Sequence, residues 1–155
     1  MFHGAMRRAT LLVLMTAFVA DVRPASADSG APSTIVLEVS TFRNRTGLLG
    51  CQLYDTSNGF PDKWPSAANL QQRIPVTGGT TTCTFPNMPP GTYAAAVIHD
   101  ENSNNKLDTN FLGMPTEGYG ISQNHTHALR RPTWDESKFV VAPQSIVTTR
   151  ISLRY

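Results

Sequence analysis

Apolar residues in this chain recur at every second position over short stretches, and turn-forming residues end each stretch before it grows long. Across Thr34 to Phe42, Ile35, Leu37 and Val39 share one side, and Val36, Glu38 and Ser40 share the other. That period of two is the pattern of a strand with one buried face. Similar runs lie at Leu48–Tyr54, Gln71–Val76, Thr80–Phe85, Thr92–His99, Lys138–Ala142 and Ser145–Leu153, the last with Val147, Ile151 and Leu153 inward. Asn44–Gly47, Gly78-Gly79 and Pro89-Pro90-Gly91 supply the turns between them. Pro75 places Gln71–Val76 at a sheet edge, because a proline has no N–H to give a central ladder. No long amphipathic helix is predicted, only one helical turn near Ser66–Leu70. About seven such strands predict an all-β chain, folded as an antiparallel β-sandwich. A membrane barrel needs lipid-facing strands of about 9–11 residues, and most of these runs are shorter.

Residues 1–27 read as a secretory signal peptide. Arg7 and Arg8 form a basic start, Thr10 to Ala20 is almost wholly apolar, and Ala25-Ser26-Ala27 offers small residues for cleavage before Asp28. A membrane anchor needs about 20 apolar residues, and Asp21 and Arg23 interrupt the run. Residues 28–33 form a flexible leader, and 34–155 form a single domain with a long loop at 100–136. Removing the first 27 of 155 residues leaves 128, enough for one real core. Of the 13 basic and 11 acidic residues, Arg7, Arg8, Arg23 and Asp21 leave with the signal, so the exported part carries ten of each. A neutral domain without a Lys/Arg cluster lacks the electrostatic footprint of a nucleic-acid or anionic-lipid binder. The expected location is the periplasm or the extracellular medium, and no transmembrane segment is expected in the exported chain.

Two cysteines in an exported chain suggest a disulfide. Cys51 shares a strand face with Leu49 and Leu53, and Cys83 shares one with Thr81 and Phe85, so both sulfurs can point into one core. The alternative is two buried thiols. A catalytic thiol would need an electropositive, exposed setting, and no neighbouring His or Lys provides one.

The densest polar stretch is Asp100-Glu101-Asn102-Ser103-Asn104-Asn105-Lys106-Leu107-Asp108. Oxygen-bearing side chains stand at 100, 102 and 104, with a carboxylate at 108. Calcium takes about six to eight oxygens, and EF-hand loops supply them at this alternation, with a backbone carbonyl at the seventh position. Asp100, Asn102, Asn104, the Lys106 carbonyl and Asp108 are therefore calcium-ligand candidates. Phe111 stands where an EF-hand has its bidentate Glu. The competing expectation is an Asx-rich turn bonded to its own backbone. Beyond it, Phe111, Met114 and Tyr119 lie among Gly113, Pro115, Gly118 and Gly120, and are expected to pack down as a lid over one end of the sandwich.

His99, His125 and His127 would make a three-imidazole zinc or copper site if the fold gathered them; the alternative is loop histidines plus one packed at a strand end. A hydrolase would draw on His99, Asp100 or Ser122, but there is no Gly-x-Ser-x-Gly elbow. Trp64 and Trp134 are either a platform for a sugar or peptide, or packing for the loops.

Several stretches together resemble an exported bacterial family of unknown function, the domain of unknown function 2141. They are Gly59-Phe60-Pro61, Met88-Pro89-Pro90-Gly91-Thr92-Tyr93, His99-Asp100-Glu101-Asn102 through Lys106-Leu107-Asp108, Thr109-Asn110-Phe111-Leu112-Gly113-Met114-Pro115, Glu117-Gly118-Tyr119-Gly120 and Ser122. The resemblance implies a signal peptide followed by a transthyretin-like or immunoglobulin-like sandwich, and it implies no activity. The chain departs from the family pattern at His125-Thr126-His127, where the family carries Asn, Gly and Arg residues. The expectation is a non-enzymatic exported module that binds an unknown protein, small molecule or carbohydrate through its long loop, or an envelope protein; a small hydrolase or transition-metal protein is the alternative.

Overall fold

The computed structural model describes residues 1, 31–61, 63, 70–127 and 130–155. The signal peptide, residues 28–30 of the leader, Trp64 and most of the Ser66–Leu70 turn lie outside the described residues. Among the described residues eight strands are divided between two sheets. They are β1 (Ser33–Ser40), β2 (Leu48–Tyr54), β3 (Gln71–Pro75), β4 (Thr80–Met88), β5 (Gly91–Asp100), β6 (Gly118–Ile121), β7 (Phe139–Val141) and β8 (Ile146–Ser152). One sheet has the order β4-β1-β8; the other has the order β3-β2-β5-β6, with β7 paired to the first residues of β5.

The alternation in β1 decides which face is buried. Ile35, Leu37 and Val39 are fully buried, while the residues between them are half-exposed. Facing them from the other sheet are Leu49, Cys51 and Leu53 of β2 and Tyr93, Ala95 and Val97 of β5. Cys51 and Cys83 form a disulfide with Cα atoms 6.5 Å apart, joining β2 of one sheet to β4 of the other. β5 departs from simple alternation: all of Tyr93 to Asp100 is buried. Its outer face is covered as well, by a second cluster in which Phe60 and Trp134 pack against Tyr54, Ala96 and Ile121.

Three details differ from the sequence-based expectation. β8 runs parallel to β1, with Leu37 opposite Thr149 and Val39 opposite Ile151. Nearly the whole domain lies between the two strands, so no tight turn forces them antiparallel. β6 and the helical turn α1 (Trp134–Ser137) fall inside the stretch read as one long loop. β6 has only four residues, two of them glycines, too few to display an alternation. Ser33, counted with the leader, opens β1: its hydroxyl donates to the Ala142 carbonyl at 2.7 Å and accepts from Ser145 N at 3.1 Å.

The two open sides of the sandwich are fastened by side-chain amides that imitate backbone. On one side Gln72 of β3 accepts from Thr84 N at 3.0 Å and donates to Thr84 O on the edge of β4. On the other, Asn124 donates to Arg150 O at 2.8 Å and accepts from Ser152 N at 2.8 Å on the edge of β8. Next to it Tyr119 and Arg154 exchange two backbone bonds of 2.9 Å. The close approach there requires Gly120, where a Cβ would lie 2.5 Å from Ile151 Cγ2. Edge strands left bare recruit other chains, and these contacts occupy some of the edge groups that would do so. Replacing Asn124 with Ala should lower unfolding stability by about 1–3 kcal/mol, two bonds at about 0.5–1.5 each. Urea denaturation measures it, and a loss within error would mean that the amide fastens nothing.

Candidate functional site

The connection from β5 to β7 covers one end and one face of the second sheet, and it holds nearly every candidate residue. It starts at Asp100, which is fully buried at the end of β5. Asp100 Oδ1 accepts from Asn104 N at 2.9 Å and Oδ2 from Asn105 N at 2.8 Å. Asn102 Oδ1 accepts from Asn104 N at 3.0 Å, and Asn104 Oδ1 from Lys106 N at 2.9 Å. Asn102 and Asn104 thus bond the backbone two residues on, the Asx-turn habit, while Asp100 reaches further along the loop. The Asn102 and Asn104 amide nitrogens converge on the Asp108 carboxylate at 2.7–3.0 Å. Among the described residues no group of three His, Cys, Asp or Glu side chains is placed to hold a metal ion.

Sequence reasoning missed Glu117, which locks the base of this loop. It is buried, and its two oxygens accept from Glu101 N at 2.8 Å and Asp108 N at 3.0 Å. Only the fold brings 101, 108 and 117 together, so no local spacing signals it. Glycine is required at 47, where φ is +73° and a Cβ would fall 2.1 Å from the Asp100 carbonyl oxygen.

The segment 109–115 is a tight hairpin. Thr109 bridges Pro115, Asn110 N donates to Met114 O at 2.9 Å, and Asn110 Oδ1 accepts from Leu112 N at 2.9 Å and Met114 N at 3.1 Å. The expected lid does not form. Phe111 is 94% exposed, Leu112 71% and Met114 58%. Asn110 satisfies the tip's own backbone, and the tip leaves Phe111 and Leu112 in solvent. Tyr119 is half-buried on β6, in the wall of a cavity.

That cavity, of about 370 Å³, lies beside β6. Ala96, Val97 and Ile121 line it from the strands, and Leu107, Met114 and Pro115 from the hairpin side. His125, His127, Arg130, Arg131 and Arg154 supply its polar lining. Thr133 and Glu136 close this rim with a capping box at the start of α1. The Thr133-Trp134-Asp135-Glu136 spacing carries that signature in sequence. Glu136 also accepts two bonds from Arg130, at 2.7 and 2.8 Å, and one from His127 Nε2 at 2.9 Å. The Arg130 bonds, followed by the Thr133 N–H, hold the Glu136 carboxyl well below the usual carboxylate range.

The profile of a family described as an uncharacterized protein conserved in bacteria, DUF2141, matches residues 37–149. The chain belongs to this family. No curated protein and no solved structure matches it. The DUF2141 match covers the Asp100–Asp108 loop, the hairpin and most of the cavity, and it stops before Arg154.

Within this DUF2141 domain the remaining candidates hold structure. His99 is fully buried with both ring nitrogens bonded: Nε2 bonds the Thr46 carbonyl at 2.8 Å and Nδ1 bonds the Tyr155 hydroxyl at 2.7 Å. A carbonyl only accepts, so a neutral ring carries its proton on Nε2 and takes the Tyr155 proton at Nδ1. Tyr155 in turn accepts from Arg43 N at 3.1 Å, and burial pushes its phenol up. Ser122 is fully buried; its Oγ accepts from Ala95 N at 2.9 Å and donates to Ser137 O at 2.6 Å. Trp134 packs edge-on against Phe60, with ring centroids 5.9 Å apart. No helix among the described residues is long and apolar enough to cross a membrane.

Proposed function

We propose that this chain is an exported, non-enzymatic binding module that holds a small amphipathic anion in the cavity beside β6. The observation that carries the reading is the cavity's composition. Its volume of about 370 Å³ falls in the range of small-molecule sites, roughly 300–1,000 Å³. The apolar floor of Ala96, Ile121, Leu107 and Met114 suits a hydrocarbon body, and the Arg130, Arg131, Arg154 and histidine rim suits a carboxylate or phosphate head. Export is supported by the signal pattern of residues 1–27 and by the Cys51–Cys83 disulfide, a bond of oxidising compartments.

A thermal melt with added decanoate tests this. A ligand that binds only the folded state raises the midpoint with concentration. Decanoate should give a saturable rise of several degrees, acetate none, and Arg154→Glu should remove most of the decanoate effect. A flat midpoint with both decanoate and decyl phosphate would end the reading.

A calcium role for the Asp100–Asp108 loop has separate support in the convergence of Asn102 and Asn104 on Asp108 at 2.7–3.0 Å. Turning both amides over would present their oxygens to an ion beside the Asp108 carboxylate and the Lys106 carbonyl, in exchange for the bonds those oxygens accept from Asn104 N and Lys106 N. The same melt, with calcium and then with chelator, decides: a saturable rise supports the ion, and no shift leaves a self-satisfied Asx turn.

A further inference from the structure

We propose that the 109–115 hairpin is a membrane-interface anchor, which inserts Phe111, Leu112 and Met114 into the surface of an anionic phospholipid bilayer. The inference shares the cavity's arginines with that reading, but its apolar tip of Phe111 and Leu112 lies outside the cavity lining and is tested separately.

Three large apolar side chains on one short turn, at 94%, 71% and 58% exposure, are not scattered surface residues. Val140 and Ile146 are exposed singly, which is ordinary. The hairpin tip is also stiff. Asn110 ties two tip N–H groups, the Thr109–Pro115 bridge closes the neck, and Thr116 N donates to Asp108 O at 2.8 Å below it. Buried Glu117 then fastens Asp108 and Glu101 to the end of β5. A stiff tip loses little conformational freedom when it is buried, so the apolar gain is not spent on ordering.

Shape and charge choose the occupant. Phe111 and Leu112 leave most of their surface open on one turn, so a flat protein face would leave much of it wet, whereas fluid hydrocarbon closes around it. Its polar surroundings are net cationic. Gly113, Met114 and Pro115 line the same cavity as Arg130, Arg131 and Arg154, and exposed Lys106 lies on the hairpin's approach. Glu136 and Arg130 offset each other as an ion pair, and Asp108 keeps its charge under the neutral Asn102 and Asn104 amides, so Lys106, Arg131 and Arg154 outnumber that one carboxylate beside the hairpin. An apolar tip set among arginines matches an interface where hydrocarbon lies just beneath phosphate. This charge is local. The exported part is neutral as a whole, so net charge gives no sign of it.

The test is co-sedimentation of the chain recovered after export with vesicles of phosphatidylcholine, with and without phosphatidylglycerol. The wild type should bind the mixed vesicles, bind neutral ones at least tenfold more weakly, and release as salt rises. The double variant Phe111→Ser, Leu112→Ser should lose at least tenfold in binding. It should keep its melting midpoint and its decanoate shift, since neither side chain is buried. Absence of vesicle binding by the wild type would overturn the proposal, as would a double variant that binds equally well. Concentration-dependent association of the wild type, lost in the double variant and without vesicle binding, would assign the tip to a second copy of the chain instead.

Discussion

Reducing the Cys51–Cys83 bond, or replacing both cysteines with Ala, should cost about 3–4 kcal/mol of unfolding stability in the chain-entropy account. The bond closes a loop with a sequence separation of 32 residues, and it is a side-chain crosslink from one sheet to the other. Both sulfurs are in the core: Cys51 and Cys83 are fully buried among Leu37, Leu53 and Phe85. The double alanine variant therefore loses apolar contact as well as the crosslink, and should be the less stable of the two forms. Equilibrium urea denaturation of the oxidised, reduced and double-alanine proteins separates the effects. A reduced protein within 1 kcal/mol of the oxidised one would mean that the sheets are held by packing and by the Gln72 and Asn124 amides, with the crosslink contributing little.

How much of this was legible in the sequence depends on the range over which each residue acts. Ile35, Leu37 and Val39 declare their strand through a local period, and so do Leu49, Cys51 and Leu53; those faces allow Cys51 to meet Cys83 but leave two buried thiols open, and the bond itself is seen only in the fold. The parallel partnership of β1 with β8 does not follow, because nothing in either strand encodes its neighbour's direction. β6 escaped notice because two of its four residues are glycine, and its place is fixed by Val97, Ile151 and the Arg154 bridge. The polar loop was visible as an alternation of Asp and Asn, yet alternation alone serves an ion or a self-bonded turn equally. What the spacing could not show is that Glu117 holds the loop's base, or that Asn110 ties a tip on which Phe111 is exposed. Gln72 and Asn124 are the clearest cases. Each is an ordinary polar residue locally, and each gains its role only from an edge more than ten residues away in sequence.

Asp100 is where stability and the site meet, and Asp100→Ala should be among the costliest single changes outside the apolar core. The side chain is fully buried, accepts from Asn104 N and Asn105 N, and has Arg73 Nη1 3.8 Å from Oδ2. Bonds to a charged acceptor contribute about 1.5–3 kcal/mol each, so the variant should lose about 3 kcal/mol or more. Asp100→Asn keeps one acceptor oxygen but turns an NH₂ toward a backbone N–H, so it should fall between the alanine variant and the wild type. The loss should also be local in its consequences. With the turn at 104 and 105 released, the Asn102 and Asn104 amides no longer converge on Asp108, and the neck of the hairpin loosens. Amide exchange at Leu112 and Met114 should then quicken in Asp100→Ala, while exchange in β1 tracks only the overall drop in stability. If both variants lose less than 1 kcal/mol and the hairpin amides exchange as before, the loop does not depend on its buried carboxylate, and Glu117 alone carries the hairpin. If the alanine variant behaves as expected, Asp100 couples the end of β5 to the exposed tip. Any ligand that grips the loop then stiffens the surface proposed to meet the membrane.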